Sequence, residues 1–165
     1  MQNMGEASRL VQMTDQLLSE ILDSLADMSK DTLNMDLDIP EVNSLYVLAR
    51  HVLGSVEEWG LYFGTGHQVQ RDRDSEFMAS GKINELIEYK NSWMPLLQER
   101  AAMIETGQLN NQGGRPEPDY KSASPSGTEM SIGDALLHTV DHTAVHLGHL
   151  QLTKQLIEHQ AIRRL

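Results

Sequence analysis

The chain has 165 residues, of which 39% are hydrophobic and 22% charged, a composition typical of one globular domain. Its 24 acidic residues outnumber the 13 basic ones, and the formal charge of −11 disfavours binding to nucleic acid or to anionic lipid surfaces. Cysteine is absent, which excludes disulfides, thiolate-ligated metal sites and a protein-borne thiol nucleophile. Without an apolar run of membrane-spanning length or a secretory signal, we expect a cytoplasmic protein.

The first predicted element is a long amphipathic helix. Apolar residues recur at intervals of three and four from Ala7 to about Met28, as they do on the buried face of a helix. The residues from Ser29 to Pro40 lack this period and predict a connector.

A second helix is expected after this connector, capped by Asn43 or Ser44 and ending near Gly64. His51 lies about 100° from the centre of its apolar stripe, so it borders the core. Glu58 lies two turns further along the side of the helix that carries His51. It is expected either to support His51 as a hydrogen-bond partner or to be a solvated carboxylate.

The segment from His67 to about Lys82 is polar, and its alternating charges over residues 71–77 predict a solvated loop. A third helix with apolar residues at helical spacing follows from Ile83 to Ile104. Pro95 is expected to kink it or to begin a fresh turn. The residues from Gly107 to Met130 predict a long irregular loop.

A fourth helix is predicted from Ser131 to about Glu158, with Ser131 and Asp134 forming a capping box. Four of the seven histidines lie on it within an arc of roughly 80°, so their imidazoles face the same way. They are His138, His142, His146 and His149.

Apolar residues surround this fourth helix on nearly all sides. The histidine arc is expected to face inward together with Val145, Leu152 and Leu156. The apolar strip on the side opposite the histidines is then too large to be buried within one small bundle, so we predict that a second subunit buries it in a homodimer. This strip consists of Leu136, Val140, Leu147 and Leu150.

Four long helices and no convincing strand predict an all-α four-helix bundle with long connections after the first and third helices. Such bundles build metal sites from side chains of facing helices. We expect one ligand from the second helix, with His51 as the candidate, and two from the histidines of the fourth. Neutral imidazole binds zinc, nickel, iron or copper.

The chain resembles the DinB/YfiT-like superfamily of metalloenzymes over nearly its whole length. The resemblance rests on His51, on the loop sequence of residues 71–77 and, most specifically, on the last-helix motif of residues 137–150. It implies a divalent metal on His51, His142 and His146. Zinc or nickel is the expected ion, with iron or manganese as alternatives.

Characterised members of this superfamily include transferases that join a low-molecular-weight thiol such as bacillithiol to electrophiles, and a mycothiol-dependent maleylpyruvate isomerase. The resemblance therefore implies a small electrophilic substrate and a thiol co-substrate, which suits a chain without cysteine. In some relatives an acidic residue takes the place of His142, which leaves His146 with His149 as an alternative ligand pair. His138 is expected to support the site or to pack in the core.

Two other functions stay open. A metal-dependent hydrolase is one, although Thr139 and Thr143 stand where a His-Glu-x-x-His enzyme carries its general base. Glu58 and Asp141 are then the candidate catalytic carboxylates. The other is a metal-binding stress-response module without turnover. Di-iron carboxylate chemistry is disfavoured because paired Glu-x-x-His motifs are missing.

Substrate selectivity is expected to reside in the loop of residues 107–130 and around Tyr62.

Overall fold

A computed structural model of the protein describes residues 4–37, 39–114 and 130–163. Within these residues the chain is helical and has no β-strand, although Gln112 and Ser131 form an isolated antiparallel bridge. A π-helix, Glu57–Gly64, continues the third helix, and a 3-10 turn, Thr106–Gln108, follows the fifth. The α-helices are α1 Glu6–Leu25, α2 Lys30–Leu33, α3 Leu45–Val56, α4 Arg73–Phe77, α5 Ile83–Ala102 and α6 Ile132–Arg163.

Four long elements form the bundle: α1, α3 with its π-helical continuation, α5 and α6. Helix α1 packs against α5 and α6, and α3 packs against α6, so one core lies between all four. The predicted all-α four-helix bundle is confirmed, and α2 and α4 lie within its connections. Among the described residues, no helix is both long enough and apolar enough to cross a membrane.

Helix α1 is the predicted amphipathic helix, but it ends at Leu25, earlier than expected. The separate short helix α2 follows, and Ser29 caps it, its Oγ accepting a hydrogen bond from Thr32 N at 3.1 Å. A buried hydrogen bond of 2.8 Å between the hydroxyls of Thr14 and Thr139 joins α1 to α6. The buried face of α1 consists of Ala7, Val11, Thr14, Leu18, Ile21, Leu22 and Leu25.

The second predicted helix ends at Gly64 as expected, but it changes from α-helix to π-helix at Glu57. This wider helix packs against both α5 and α6. A Cβ added at Gly60 would lie 2.7 Å from Leu97 Cδ2 of α5, so the close approach of these two helices requires glycine. π-Helical turns often occur at functional sites, and this one follows the helix that carries His51.

Helix α4 corrects the prediction of a solvated loop. Asp72 caps it, and its polar side chains at Asp74 and Ser75 are exposed. The side chains of Arg71 and Glu76, however, are only 5% and 1% exposed. An alternating charge run predicts a solvated segment, but the helical turn directs Glu76 inward, where Arg71 pairs with it. Helix α5 continues through Pro95 without a break.

Helix α6 begins with the predicted capping box: Asp134 N donates to Ser131 Oγ at 3.0 Å, and Ser131 N donates to Asp134 Oδ2 at 3.2 Å. It extends beyond the expected end, to Arg163. The predicted rotation of the helix is wrong. Val145, Leu152 and Leu156 are 51%, 56% and 37% exposed instead of facing inward.

The strip that was predicted to bind a second subunit lies instead in the core of the chain. Leu136, Leu147 and Leu150 are only 0%, 8% and 1% exposed. The reason is that the centre of the buried face is formed by threonines, which hydrophobic periodicity counts as polar. Their hydroxyls are satisfied within the helix: Thr143 Oγ1, for example, donates to Thr139 O at 2.6 Å. The stated basis for a homodimer therefore fails, and the homodimer itself stays a prediction.

Candidate metal centre

The packing of α3 against α6 brings three histidines together. The ring centroid of His51 lies 5.3 Å from that of His142 and 5.2 Å from that of His146, and the last two rings stack at 4.4 Å. One nitrogen from each ring lies within 4.8 Å of the other two. Two nitrogens bound at about 2 Å to one tetrahedral ion lie roughly 3.3 Å apart, so modest side-chain rotations would bring the three nitrogens to this spacing.

The chemistry of these three side chains fits a divalent cation. Nδ1 of His142 and Nδ1 of His146 are buried without a hydrogen-bond partner among the described residues. A buried polar atom without a partner costs free energy, and a bound ion removes that cost when it accepts the nitrogen lone pair. The three imidazoles offer a nitrogen-only ligand set, which suits zinc, nickel and other borderline cations.

His142 and His146 are neutral near pH 7. Burial is the main cause that lowers the pKa of His142 to about 3, and the neighbouring His146, His138, His51 and Arg71 contribute in the same direction. Burial also lowers the pKa of His146 to about 4, assisted by His51 and His149. Only neutral imidazole has a lone pair for a metal, so this environment holds both side chains in the form that binds.

His51 is oriented by a carboxylate. Its Nδ1 lies 3.1 Å from Glu76 Oε2 and 3.3 Å from Arg71 Nη2. The carboxylate is the closer of the two and only accepts hydrogen bonds, so we infer that Nδ1 carries the proton and that Nε2 keeps the lone pair. Burial alone would raise the pKa of Glu76, but hydrogen bonds from Arg71 and His51 hold it below its ordinary value. In metal sites, the ring nitrogen of a histidine ligand that does not bind the ion commonly donates a hydrogen bond to such a carboxylate.

His138 and His149, also on α6, flank the group without joining it. The ring of His138 packs on Trp59 with centroids 3.9 Å apart, and burial lowers its pKa although Asp141 acts in the opposite direction. The ring of His149 meets the edge of His146 at 5.2 Å. The described residues thus place His51, His142 and His146 in one group, and His149 is not a member of it.

The two carboxylates predicted as catalytic lie in opposite environments. Glu58 is fully buried in the π-helix, and its Oε2 accepts a hydrogen bond from Arg71 Nη1 at 2.9 Å. Asp141 is exposed on α6, next to His142 in the sequence. Neither carboxylate hydrogen-bonds to one of the three histidines among the contacts of the described residues, so their catalytic roles stay predictions.

Sequence reasoning missed Arg71 and Glu76. Both belong to the charge run that was interpreted as solvated, and nothing in that run marks two of its members as buried. The available signal was the family resemblance, which included this segment without assigning a role to it. Of the residues 107–130 predicted to set selectivity, residues 115–129 lie outside the described part of the chain, and Tyr62 is buried in the π-helix.

These histidines make the metal-free protein sensitive to acid. The pKa values of His142 and His146 are about 3 and about 4 in the folded protein, below the ordinary value of 6.5. Between these folded values and pH 6.5, the unfolded chain therefore binds more protons than the folded one. Their contribution to stability is complete above pH 6.5 and is lost as the pH falls toward the folded values. We expect the free energy of unfolding in urea to decrease from about pH 7 to about pH 5.

The matched control is the double variant His142→Gln with His146→Gln, measured without metal at the same two pH values. Its free energy of unfolding is expected to change less with pH, because glutamine does not titrate. An equal change in both proteins would contradict the assignment of this effect to the two histidines.

Comparison with known proteins agrees with this architecture. The structure is similar to that of a conserved protein from Enterococcus faecalis, with a TM-score of 0.61, 15% sequence identity and coverage of 94% of this chain and 98% of that one. No match was found among curated proteins. The sequence profile of the mycothiol-S-transferase family, however, matches residues 9–159. The chain therefore belongs to the mycothiol-S-transferase family, a family of the DinB/YfiT-like type.

Proposed function

We propose that this protein is a metal-dependent enzyme that transfers a low-molecular-weight thiol to a small electrophile. The observation that carries the proposal is that three histidine side chains from two helices, α3 and α6, meet closely enough to bind one ion. Family membership supports a thiol as co-substrate, and the family name makes mycothiol the first thiol to test. The absence of cysteine means that the nucleophilic sulfur comes from the co-substrate.

The residues divide the chemical work between them. His51, His142 and His146 would hold zinc or nickel, and three ligands leave a coordination position for the co-substrate. A divalent ion in such a site lowers the pKa of a bound thiol, so that a thiolate is present at neutral pH. Phe77 packs against the His51 ring with centroids 5.2 Å apart, and Trp59 packs against His138, so an aromatic ring lies beside each of these two imidazoles.

The reaction adds the thiolate sulfur to an electrophilic carbon. A carbon–sulfur bond forms, and the displaced electron pair leaves with the leaving group or takes up a proton. Asp141 is the exposed carboxylate closest in the sequence to the ligands, and we propose it for that proton transfer. Glu58 is buried against Arg71, which favours a supporting role over direct contact with substrate.

The activity test is a panel of mycothiol, bacillithiol, glutathione and coenzyme A with simple electrophiles, measured with the metal-loaded protein. We expect a metal-dependent rate with at least one thiol and no such rate in His146→Ala. A cobalt-substituted protein is expected to change its visible spectrum when that thiol is added, because thiolate coordination alters the ligand field.

Two negative results together would overturn this proposal: no rate above that of His146→Ala with any thiol, and no thiol-induced change in the cobalt spectrum. A metal-dependent hydrolysis rate would then support the hydrolase reading, and tight metal binding without turnover would support the stress-response module. A cytoplasmic location and a homodimer remain part of the proposal as predictions from the sequence.

A further inference from the structure

A buried network of hydrogen-bonded charged side chains connects the π-helix to the metal centre. Arg71 Nη1 donates to Glu58 Oε2 at 2.9 Å, while its Nε and Nη2 donate to the two oxygens of Glu76 at 2.7 and 2.8 Å. Glu76 Oε2 in turn lies 3.1 Å from His51 Nδ1 and accepts its proton in the Nδ1–H tautomer, while Arg71 Nη2 lies 3.3 Å from the same nitrogen. The side chains of Glu58, Arg71 and Glu76 are 0%, 5% and 1% exposed, so water screens little of this network.

Stability alone does not explain such an arrangement. Removing two carboxylates and a guanidinium from water costs free energy that their attraction only partly returns, and apolar residues of similar size often stabilise a core as well or better. What the arrangement does provide is orientation. Arg71 grips both oxygens of Glu76, which fixes the plane of the carboxylate and directs one oxygen at His51.

The carboxylate of Glu76 occupies a space that exists only because residue 54 is glycine. A Cβ added at Gly54 would overlap Glu76 Oε1 and would lie 3.0 Å from its Cδ. Gly54 follows His51 by three residues on α3, so both lie on the same face of that helix. The carboxylate therefore rests directly on the backbone of the helix that carries the ligand, and a single methyl group would displace it.

Helix α4 contacts His51 through a second side chain. The ring of Phe77 lies 5.2 Å from the His51 ring, and the guanidinium of Arg73 lies over Phe77 at 4.8 Å. Two consecutive residues of α4 thus fix the imidazole: Glu76 through a hydrogen bond at Nδ1, and Phe77 through ring packing. Rotation of the ring would break both contacts.

We propose that Glu76 is the positioning residue of the metal centre, holding His51 with Nε2 directed at His142 and His146. Arg71 and Glu58 hold Glu76 in place, and Gly54 makes the room it needs. Helix α4 is therefore the segment that sets the metal affinity. The proposal rests on the metal site of the proposed function and assigns to Arg71, Glu76 and Gly54 a role that neither the spacing of the histidines nor the family match assigns.

The test uses Gly54→Ala, which displaces the carboxylate without removing any charged group. We expect its affinity for cobalt or zinc to fall by about 10- to 100-fold, the usual effect of losing a partner behind a histidine ligand. The matched control is Gly148→Ala on α6, where an added Cβ meets nothing within 4 Å. This control makes the same substitution in a helix that carries two ligands, and its affinity should equal that of the unaltered protein.

Glu76→Gln is the second variant, because it keeps the size of the side chain and removes its charge. We expect a similar loss of metal affinity and an altered cobalt spectrum. In the metal-free protein, nitrogen-15 NMR of the histidine rings should report the Nδ1–H tautomer at His51, and Glu76→Gln should lose this preference. A residue that only stabilised the fold would not move the tautomer.

The outcomes separate this proposal from the proposed function. If Gly54→Ala and Glu76→Gln fold and bind cobalt as tightly as the unaltered protein, Glu76 does not position the ligand. If Gly54→Ala fails to fold, Glu76→Gln decides. If the unaltered protein binds no metal, the proposed function fails, yet the tautomer of His51 still decides whether Glu76 orients it.

Discussion

Replacing His142 with alanine is expected to abolish stoichiometric metal binding. Apparent binding free energies of about 10 to 16 kcal/mol for four-ligand zinc sites correspond to roughly 3 kcal/mol per ligand, or a loss of affinity of about 100-fold. The remaining pair, His51 and His146, comes from two different helices and has no third nitrogen within reach among the residues described. Elemental analysis of the purified protein and competition with a chelator measure the loss.

The same variant should lose the stabilisation that metal confers. A ligand at 100 times its dissociation constant stabilises the folded state by about 2.7 kcal/mol, and this difference should shrink toward zero in His142→Ala. His138→Ala and His149→Ala are the controls, and both should keep one ion per chain. Full metal content in His51→Ala and His142→Ala, with loss in His138→Ala or His149→Ala, would show that a different set of histidines binds.

Replacing Leu150 with glutamate is expected to unfold the protein. Leu150 is 1% exposed, and losing its burial costs about 2 to 5 kcal/mol. An unpaired carboxylate in the core costs several kcal/mol more. Together these costs approach the roughly 5 to 15 kcal/mol that stabilise a typical domain. Circular dichroism and thermal unfolding measure the effect, and a folded Leu150→Glu protein would contradict the position of this residue in the core.

Leu152→Glu is the matched control, on the same helix and only two residues away. Leu152 is 56% exposed, so its replacement should change the free energy of unfolding by no more than about 0.5 kcal/mol. This variant also tests the homodimer, because Leu152 lies on the exposed apolar side of α6 with Val145 and Leu156. A dimer that uses this side should dissociate in Leu152→Glu, and light scattering of a monomeric unaltered protein would refute the homodimer.

Local signals in the sequence were enough to predict the fold. The three- and four-residue period of α1, the Ser44 cap of α3 and the capping box of Ser131 with Asp134 each depend on neighbours within one or two turns. The arc of histidines on α6 is local in the same sense, because the geometry of a helix determines which residues share a face. These features therefore appear in the structure as the sequence predicts them.

The rotation of α6 was decided by packing alone. Hydrophobic periodicity placed Val145 and Leu152 inside, but the close contact of α6 with α1 selects small side chains, and Thr139 meets Thr14 there. A threonine whose hydroxyl is bonded to a partner or to its own helix is buried at little cost, and its small volume lets two helices approach. A scale of hydrophobicity does not contain this information, since it depends on the partner helix.

The sequence by itself therefore determined the helices, the bundle and the face that carries the histidines, because these follow from spacing along one chain segment. Only the tertiary structure decided that His51 reaches His142 and His146, and that Arg71 and Glu76 are buried behind it. Burying a charged side chain costs free energy unless it pairs with an opposite charge. Arg71 forms such pairs with two separate elements, with Glu58 of the π-helix and with Glu76 of α4. Such pairing is a property of the assembled bundle and has no signature in the local sequence.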